Sequence, residues 1–214
     1  MTSKEFRERL LRRARRANTP VDLEWVDPLE HYFHLLSRWN TKINLTALPL
    51  QEPTDQTFDR LFIEPLAAAR HVGSEPESWW DLGSGGGSPA IPLKVARPML
   101  SLTMVEAKTR KAAFLREAIR ALRLGDTDVL HSRFEDAVST DAVAGSHGLV
   151  TVRAVRTDRR LFAIAAKLLR HGGRLLLFRP SDRPSSPDGF RYVESVVLTE
   201  APRTYISILI RGDR

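Results

Sequence analysis

Cysteine is absent from the 214-residue sequence, aromatic residues make up only 7% of it, and no long apolar run interrupts its charged residues. The absence of cysteine excludes disulfide bonds, thiol nucleophiles and thiolate metal ligands. No segment approaches the roughly 20 consecutive apolar residues that a membrane-spanning helix needs. Charged residues also occupy the N-terminal positions where a secretory signal has its apolar centre. We therefore expect a soluble, cytoplasmic protein without a metal site. We also expect a monomer, although no sequence feature specifies the oligomeric state.

Basic residues outnumber acidic ones by 33 to 26, giving a formal net charge of +7. Such a balance favours a polyanionic partner, with nucleic acid first and an acidic membrane surface second. Residues 1–20 carry seven basic and two acidic side chains. Phe6, Leu10 and Leu11 are spaced as on one face of a helix, so this segment predicts a basic helical arm. A helix that is merely solvated remains the alternative.

The periodicity of the chain changes at Ser78. Before it, Asp27 and Pro28 predict a helix start, and a second helix is expected over 54–71 with a kink or break at Pro65. We expect residues 1–75 to form a helical cap with the basic arm. Residues 76–214 should then form a doubly wound α/β domain, because short apolar runs alternate there with amphipathic segments.

The predicted elements of this second part fall into a regular order. Gly125 and Gly172 would cap the second and third of its helices. Two further strand-like runs near the C-terminus predict an antiparallel hairpin. The strands are expected at 78–82, 100–105, 127–131, 148–152, 174–179, 191–199 and 203–211, and the helices at 89–97, 108–124 and 157–170.

The most informative segment follows the first predicted strand and holds four of the twelve glycines. Glycine there permits positive φ and lets a ligand approach the backbone closely. Ser88–Pro89 fits an N-cap and the first position of a helix whose free amides attract an anion. Gly83, Gly85 and Gly87 follow Asp81 in the D-x-G-x-G-x-G pattern of S-adenosylmethionine enzymes, whereas a dinucleotide fingerprint is spaced G-x-G-x-x-G. The glycines alone do not separate the two cofactors.

An acidic residue, Glu106, ends the second predicted strand about twenty residues later, where an acid accepts hydrogen bonds from ribose hydroxyls. Both cofactors use such an acid, so the choice between them stays open at this point. A flexible loop followed by a surface acid is the alternative that needs no ligand. A P-loop is excluded, because no Gly-Lys-Ser/Thr follows the glycines.

Three separated parts of the sequence match the motifs of a known family. Residues 39–47 are WNTKINLTA, against a family signature W-N-x-x-x-N-L-T-A, and residues 81–93 are DLGSGGGSPAIPL, against D-V-G-S-G-A-G-F-P-G-I-P-L. A weaker series comprises 106–116, 132–135 and 150–154. With these motifs the chain resembles the bacterial 16S ribosomal RNA guanine-N7 methyltransferases, also called the glucose-inhibited division protein B family.

The resemblance implies a class I, Rossmann-like methyltransferase fold and S-adenosylmethionine as cofactor. Glu106 would hold the ribose, Phe134 and Glu135 would flank the adenine, and Gly83 and Ser88 would face the methionine end. Arg153 would orient the cofactor and the incoming base. The complete implied cofactor set is Asp81, Gly83, Gly85, Gly87, Ser88, Glu106, Phe134, Glu135 and Arg153.

The implied partner is ribosomal RNA or the small ribosomal subunit. Guanine N7 carries a lone pair and no proton, so we expect no catalytic acid or base, and positioning should dominate. Basic residues of 108–123 are expected to form a solvated face. The predicted RNA surface consists of Arg12, Arg13, Arg15, Arg16, Lys42, Asn44, Thr46, Arg60, Arg156, Arg159 and Arg160.

Several positions depart from the family pattern. Ser88 stands where the family has an aromatic residue, Ala90 replaces a glycine, Leu61 replaces a histidine and Val152 replaces a serine. These departures keep two alternatives open. The first is a divergent methyltransferase acting on a small molecule or a protein, and the second is a non-catalytic ribosome-binding homologue.

Overall fold

The N-terminal third of the chain folds into helices, because its apolar residues recur at helical spacing. The structure is a computed structural model that describes residues 1–138, 144–182, 186–200 and 202–212. The helical elements are α1 (Ser3–Arg16), α2 (Leu23–Asn40), α3 (Asp55–Phe58), a π-helical turn (Asp59–Ile63), α4 (Glu64–Ala68) and a 3-10 turn (Ala69–His71).

The predicted basic arm is a helix, but it is docked against the rest of the cap. Phe6 and Leu10 on α1 are fully buried. The Phe6 ring lies 5.8 Å from Phe33 and 5.4 Å from both Phe58 and Phe62, measured between ring centroids. Burial of one such side chain stabilises a fold by about 1.5–3 kcal/mol, so α1 is part of the core.

The structure corrects one prediction about proline in the cap and shows the form that the second one takes. The helix start at Asp27 is wrong, since α2 begins at Leu23 and contains Pro28 in its interior. Pro28 has no backbone N–H, so α2 lacks one helical hydrogen bond there. The nearby residues Val26 and Leu29 are both buried. Near Pro65 the chain stays helical, and the irregularity takes the form of the preceding π-helical turn, in which the Glu64 amide donates to the Asp59 carbonyl.

The second part of the chain forms one seven-stranded sheet of order β3-β2-β1-β4-β5-β7-β6. Strands β1 to β5 pair in parallel, and β7 lies antiparallel between β5 and β6. The predicted doubly wound sheet with a C-terminal hairpin is therefore confirmed. The strands are β1 (Ser78–Leu82), β2 (Ser101–Val105), β3 (Thr127–Leu130), β4 (His147–Arg153), β5 (Leu169–Arg179), β6 (Phe190–Glu200) and β7 (Arg203–Arg211).

The helices between the strands are α5 (Ala90–Ala96), α6 (Thr109–Leu122), α7 (Phe134–Ala137) and α8 (Arg159–Leu168). Both predicted glycine caps are wrong. Arg123, with φ of 52°, takes the left-handed position after α6. Helix α8 ends before Gly172, which has φ of 73° and lies in the irregular part of β5 between the paired residues Leu169 and Arg174. Both helices therefore end before the glycine that was predicted to cap them.

The cap and one face of the sheet share a single hydrophobic core. Phe62 and Leu66 of the cap belong to the same cluster of buried residues as Trp79, Leu102 and Leu176 of the sheet. A second cluster covers the other face beneath α8. Within the described ranges, no helix has the length and apolar character needed to cross a membrane. The cap also contacts the glycine turn that follows β1, where the Tyr32 hydroxyl donates to the Gly86 carbonyl.

Candidate active site

The glycine turn connects β1 to α5 and folds over the end of β2. The amides of Gly83 and Ser84 donate to the carbonyl of Val105 at 2.9 and 3.1 Å. Gly83, Gly85 and Gly87 have φ of 77°, 55° and 90°, the left-handed region that favours glycine. A Cβ atom at Gly87 would lie 2.5 Å from the Cδ1 atom of Ile91, in the first turn of α5. The local sequence therefore has a steric reason for its glycines.

Glu106 lies at the end of β2 with its carboxylate held in place by the backbone. One carboxylate oxygen accepts the Gly85 amide at 2.9 Å, and the other accepts the Lys108 amide at 2.8 Å. The residue is only 7% exposed. A carboxylate has about four acceptor directions, so two remain for a pair of hydroxyl groups.

Asp81, by contrast, lies beneath the turn and away from the cavity surface. Its carboxylate accepts the Thr151 hydroxyl at 2.5 Å, and it is 1% exposed. Burial raises the pKa of Asp81 above its ordinary value. Its carbonyl accepts the Ser84 hydroxyl at 3.0 Å. Asp81 therefore supports the turn from below.

Arg153, at the end of β4, joins the sheet to the cap. Its guanidinium donates to the carbonyl of Arg60 at 2.6 Å and to the Ser88 hydroxyl at 3.0 Å, and it forms an ion pair with Glu64. The side chain is 10% exposed, and burial lowers the pKa of Arg153. Its guanidinium also lies 4.7 Å from the ring centroid of Phe178. The arginine is fixed by four partners at the edge of the cavity.

Ser88 does not have its predicted role as a helix N-cap. Helix α5 begins at Ala90 and has no side-chain cap. The Ser88 hydroxyl donates to the carbonyl of Leu61 at 3.0 Å. Because this carbonyl oxygen belongs to the cap, the Ser88 hydroxyl points toward the cap and does not bond the free amides of α5.

Two residues that the sequence did not single out position the cap side of the site. The buried Tyr32 hydroxyl donates to the carbonyl of Gly86 at 2.7 Å. The Asn40 side chain accepts the amides of Leu45 and Thr46 at 2.9 and 3.0 Å. Asn40 is the last residue of α2 and the second residue of the family signature at 39–47, so that motif could have identified Asn40 as a positioning residue. No local signal marks Tyr32.

These residues enclose a cavity of about 550 Å³ between the cap and the sheet. Its lining includes Gly83, Gly85, Ser88, Glu106 and Arg153 from the predicted cofactor set. The segment around Leu45–Leu48 forms the cap wall, together with Tyr32, Arg60 and Leu61.

A second cavity of about 250 Å³ shares Gly83 and Glu106 with the first and is also lined by Phe134 and Glu135. The two cavities therefore form one cleft that passes over the end of β2. The structure brings together every predicted cofactor residue except Asp81 and Gly87, which lie under and within the turn.

The residues predicted to contact RNA divide into four groups. Arg13 is a correction, because it is 6% exposed and forms an ion pair with the buried Asp59. Arg12 pairs with Asp55 at 3.0 Å but stays exposed. Only Thr46 and Arg60 line the large cavity. The remaining residues are exposed away from its lining, namely Arg15, Arg16, Lys42, Asn44, Arg156, Arg159 and Arg160.

The predicted solvated face of α6 also needs correction at its first turn. Lys108 and Lys111 line the large cavity beside Glu106. The N-terminus of α6 follows directly from the carboxyl end of β2, so its first side chains face the cleft. Among the described residues, no cluster of three or more histidine, aspartate or glutamate side chains could hold a metal ion.

Comparison with known proteins gives a consistent result. The family model described as rRNA small subunit methyltransferase G matches residues 26–185. The chain is 40% identical over 157 residues to Ribosomal RNA small subunit methyltransferase G of Chloroflexus aggregans, covering 73% of this chain and 65% of that protein. It is 38% identical over 161 residues to the protein of the same name from Xanthomonas axonopodis pv. citri, covering 74% and 71%.

A solved structure supports the fold. The crystal structure of a SAM dependent methyltransferase from Aquifex aeolicus superimposes with a TM-score of 0.55 at 11% identity, covering 70% of this chain and 90% of that chain. At this identity the similarity concerns the fold alone. The chain has the class I methyltransferase fold.

Proposed function

Since the chain belongs to the rRNA small subunit methyltransferase G family, we propose that it transfers a methyl group from S-adenosylmethionine to N7 of a guanine in small-subunit 16S ribosomal RNA. One observation carries the proposal. The glycine turn and Glu106 meet at the centre of a cleft that extends from Phe134 on one side to the cap on the other. Ribosomal RNA as substrate also places the reaction in the cytoplasm.

The chain's own groups fit the parts of S-adenosylmethionine. The two free acceptor directions of Glu106 suit the ribose hydroxyls. Phe134 and Glu135, in the smaller cavity, suit an adenine ring and its amino group. The larger cavity, with Ser88 and Arg153 on its lining, then receives the methionine end.

The chemistry makes few demands on side chains. Bound S-adenosylmethionine supplies a methyl group that its sulfonium already activates. Guanine N7 attacks with a lone pair that carries no proton, so the site needs no general base. Positive charge develops on the guanine, so the Arg153 guanidinium acts by holding cofactor and cap in place, with its charge balanced by Glu64.

The wall opposite the turn receives the base. Leu45–Leu48 and Arg60 line the large cavity from the cap side, and Asn40 fixes that segment through two hydrogen bonds. Exposed basic residues outside the cavity provide phosphate contacts, which give affinity with little sequence choice. The target guanine must leave its stack to enter, as in other single-nucleotide recognition.

Calorimetric titration with S-adenosylmethionine and, separately, with NAD tests the cofactor assignment. The wild-type protein should bind only the methyl donor. Glu106→Ala should weaken binding, since the ribose loses its acceptor. Gly85→Asp should do the same by placing a carboxylate beside Glu106. Binding of NAD, or full affinity in both variants, would overturn the assignment.

Methyl transfer to unmodified 16S ribosomal RNA tests the acceptor. N7-methylation makes the nucleotide sensitive to borohydride reduction, after which aniline cleaves the strand. We expect one cleavage that depends on enzyme and methyl donor. Transfer confined to metabolites or proteins would support the alternative acceptors, and RNA binding without cofactor affinity would support a non-catalytic ribosome-binding protein.

A further inference from the structure

A second concave surface lies beside the active-site cleft, between the end of α2 and the start of α6. We call it the Trp39 groove. It has a volume of about 430 Å³ and shares no lining residue with the large cavity. Its lining residues are Arg38, Trp39, Lys42, Ile43, Arg110 and Ala113.

The floor of the groove is apolar and held in place. Trp39 and Ile43 are half-buried and pack against the main core. The Trp39 ring meets Phe114 of α6 at 5.9 Å between centroids and 64° between planes. Within the described part of the chain, no protein acceptor binds the indole N–H of Trp39. The floor therefore offers a fixed aromatic surface with an open donor.

The rim of the groove is cationic. Arg38, Lys42 and Arg110 are all exposed. None of them has an acidic partner among the described residues, whereas Arg12 pairs with Asp55 and Arg156 lies 3.6 Å from Asp158. Three uncompensated charges thus surround one aromatic floor, and no acidic residue lines the groove. This combination matches the two parts of a nucleotide, a flat base and a phosphate anion.

The groove is joined to the cleft by two short pieces of chain. Ile43 lines the groove and Thr46 lines the large cavity. The three residue steps from Ile43 to Thr46 span at most about 11 Å. On α6, Arg110 lines the groove and the next residue, Lys111, lines the cavity. The groove is therefore within reach of the nucleotides that adjoin a target base in the cavity.

We propose that the Trp39 groove binds a nucleotide of the RNA substrate that neighbours the target guanine, with its base against Trp39 and Ile43 and its phosphates near Arg38, Lys42 and Arg110. This inference rests on the proposed RNA methyltransferase function. Stacking on an aromatic side chain tolerates any base, so the groove orients the strand and adds affinity. It leaves the choice of target to the cavity.

Binding of in vitro transcribed 16S ribosomal RNA at several salt concentrations tests the cationic rim. The triple variant Arg38→Gln/Lys42→Gln/Arg110→Gln should lower the slope of log affinity against log salt by about 2, since each single-strand phosphate contact contributes about 0.7. The matched control is Lys4→Gln/Arg123→Gln/Arg191→Gln. It removes the same charge from exposed positions elsewhere and should leave the slope nearly unchanged. An equal change in both triples would overturn the rim assignment.

Trp39→Leu tests the floor while keeping an apolar contact with Phe114. It should weaken RNA binding about tenfold at every salt concentration, because base stacking is lost and phosphate contacts are kept. The KM for RNA should rise in proportion, with kcat and the calorimetric affinity for S-adenosylmethionine unchanged. Unchanged RNA affinity would overturn the proposal.

A crosslinking experiment on the wild-type protein avoids any folding defect of a variant. Transcribed RNA containing 4-thiouridine is irradiated with the protein, and the attached peptides are identified by mass spectrometry. Crosslinks should fall on residues 38–43 and 110–113, and crosslinks found only elsewhere would overturn the proposal. If the proposed function itself fails, wild-type protein will not methylate RNA. If only the groove assignment fails, methylation persists with the same KM in every variant.

Discussion

Breaking the ion pair between Glu64 and Arg153 should destabilise the protein by an amount that depends on which partner remains. Glu64 is 1% exposed and Arg153 is 10% exposed, so both charges are removed from water. Removing one partner of a buried pair typically costs about 3–5 kcal/mol, because the other charge stays buried without compensation. We therefore expect Glu64→Met to lower the free energy of unfolding by about 3–5 kcal/mol.

The double variant Glu64→Met/Arg153→Met should lose much less than the sum of the two single variants. Replacing both charges with apolar side chains of similar length removes the uncompensated charge, which is the main source of each single loss. Contacting residues show coupling energies of up to about 3 kcal/mol, and we expect a value near that limit. One carboxylate oxygen of Glu64 has no hydrogen-bond partner among the described residues, and this favours tolerance of the double change.

Urea unfolding followed by circular dichroism measures all the variants of this cycle. Arg60→Gln is the matched control, because Arg60 lies 3.5 Å from the same carboxylate oxygen but is 29% exposed. A partly exposed pair of this kind contributes about 1 kcal/mol or less. Additive single losses, or a loss below about 1 kcal/mol for Glu64→Met, would refute the assignment of a buried, coupled pair.

Three further predictions address the loop and the sheet. Tyr32→Phe removes the hydrogen bond from the Tyr32 hydroxyl to the Gly86 carbonyl in the glycine turn. The affinity for S-adenosylmethionine should fall several-fold in calorimetry, and the free energy of unfolding should fall by about 1–3 kcal/mol. Unchanged affinity would show that the turn keeps its conformation without this hydrogen bond. Gly87→Ala should lower Tm more than Gly85→Ala. The nearest atom to the added Cβ would be 2.5 Å away at Gly87 and 3.8 Å away at Gly85. Equal shifts in Tm would contradict the steric argument. Burial lowers the pKa of His147 below its ordinary value of 6.5, so its contribution to stability is present above pH 6.5 and lost as the pH falls through its folded-state pKa. His147→Gln should therefore flatten the pH dependence of the free energy of unfolding by up to about 1.4 kcal/mol per pH unit, and parallel curves for wild type and His147→Gln would refute the assignment.

The parts of the site that the sequence predicted are those set by local pattern. Short apolar runs bounded by turn residues gave strand positions close to the observed bounds. The carboxyl ends of parallel strands meet at one edge of a sheet, so Glu106 and the glycine turn had to lie together once both were placed at strand ends. In the structure the two are in direct contact, since the Gly85 amide donates to the Glu106 carboxylate.

The parts that the sequence did not predict depend on contacts between distant positions. Tyr32 reaches a carbonyl 54 residues away, and Arg13 finds its carboxylate 46 residues away. In the sequence, Arg13 is one of several arginines in a basic helix, and nothing local distinguishes it from Arg15 or Arg16. Burial within the assembled cap decides which of these cations is available to a ligand.

One departure from the family pattern, Ser88, is hydrogen-bonded at the boundary between the cap and the sheet. Ser88 replaces an aromatic residue, and its hydroxyl donates to the backbone carbonyl of Leu61, an acceptor that any residue at position 61 provides. The same hydroxyl accepts a hydrogen bond from Arg153, so its polar atom is paired in both directions. The smaller side chain is thus fully hydrogen-bonded where the family has an aromatic ring, and the resulting difference in shape falls on the cap side of the large cavity, which Ser88 and Leu61 both line.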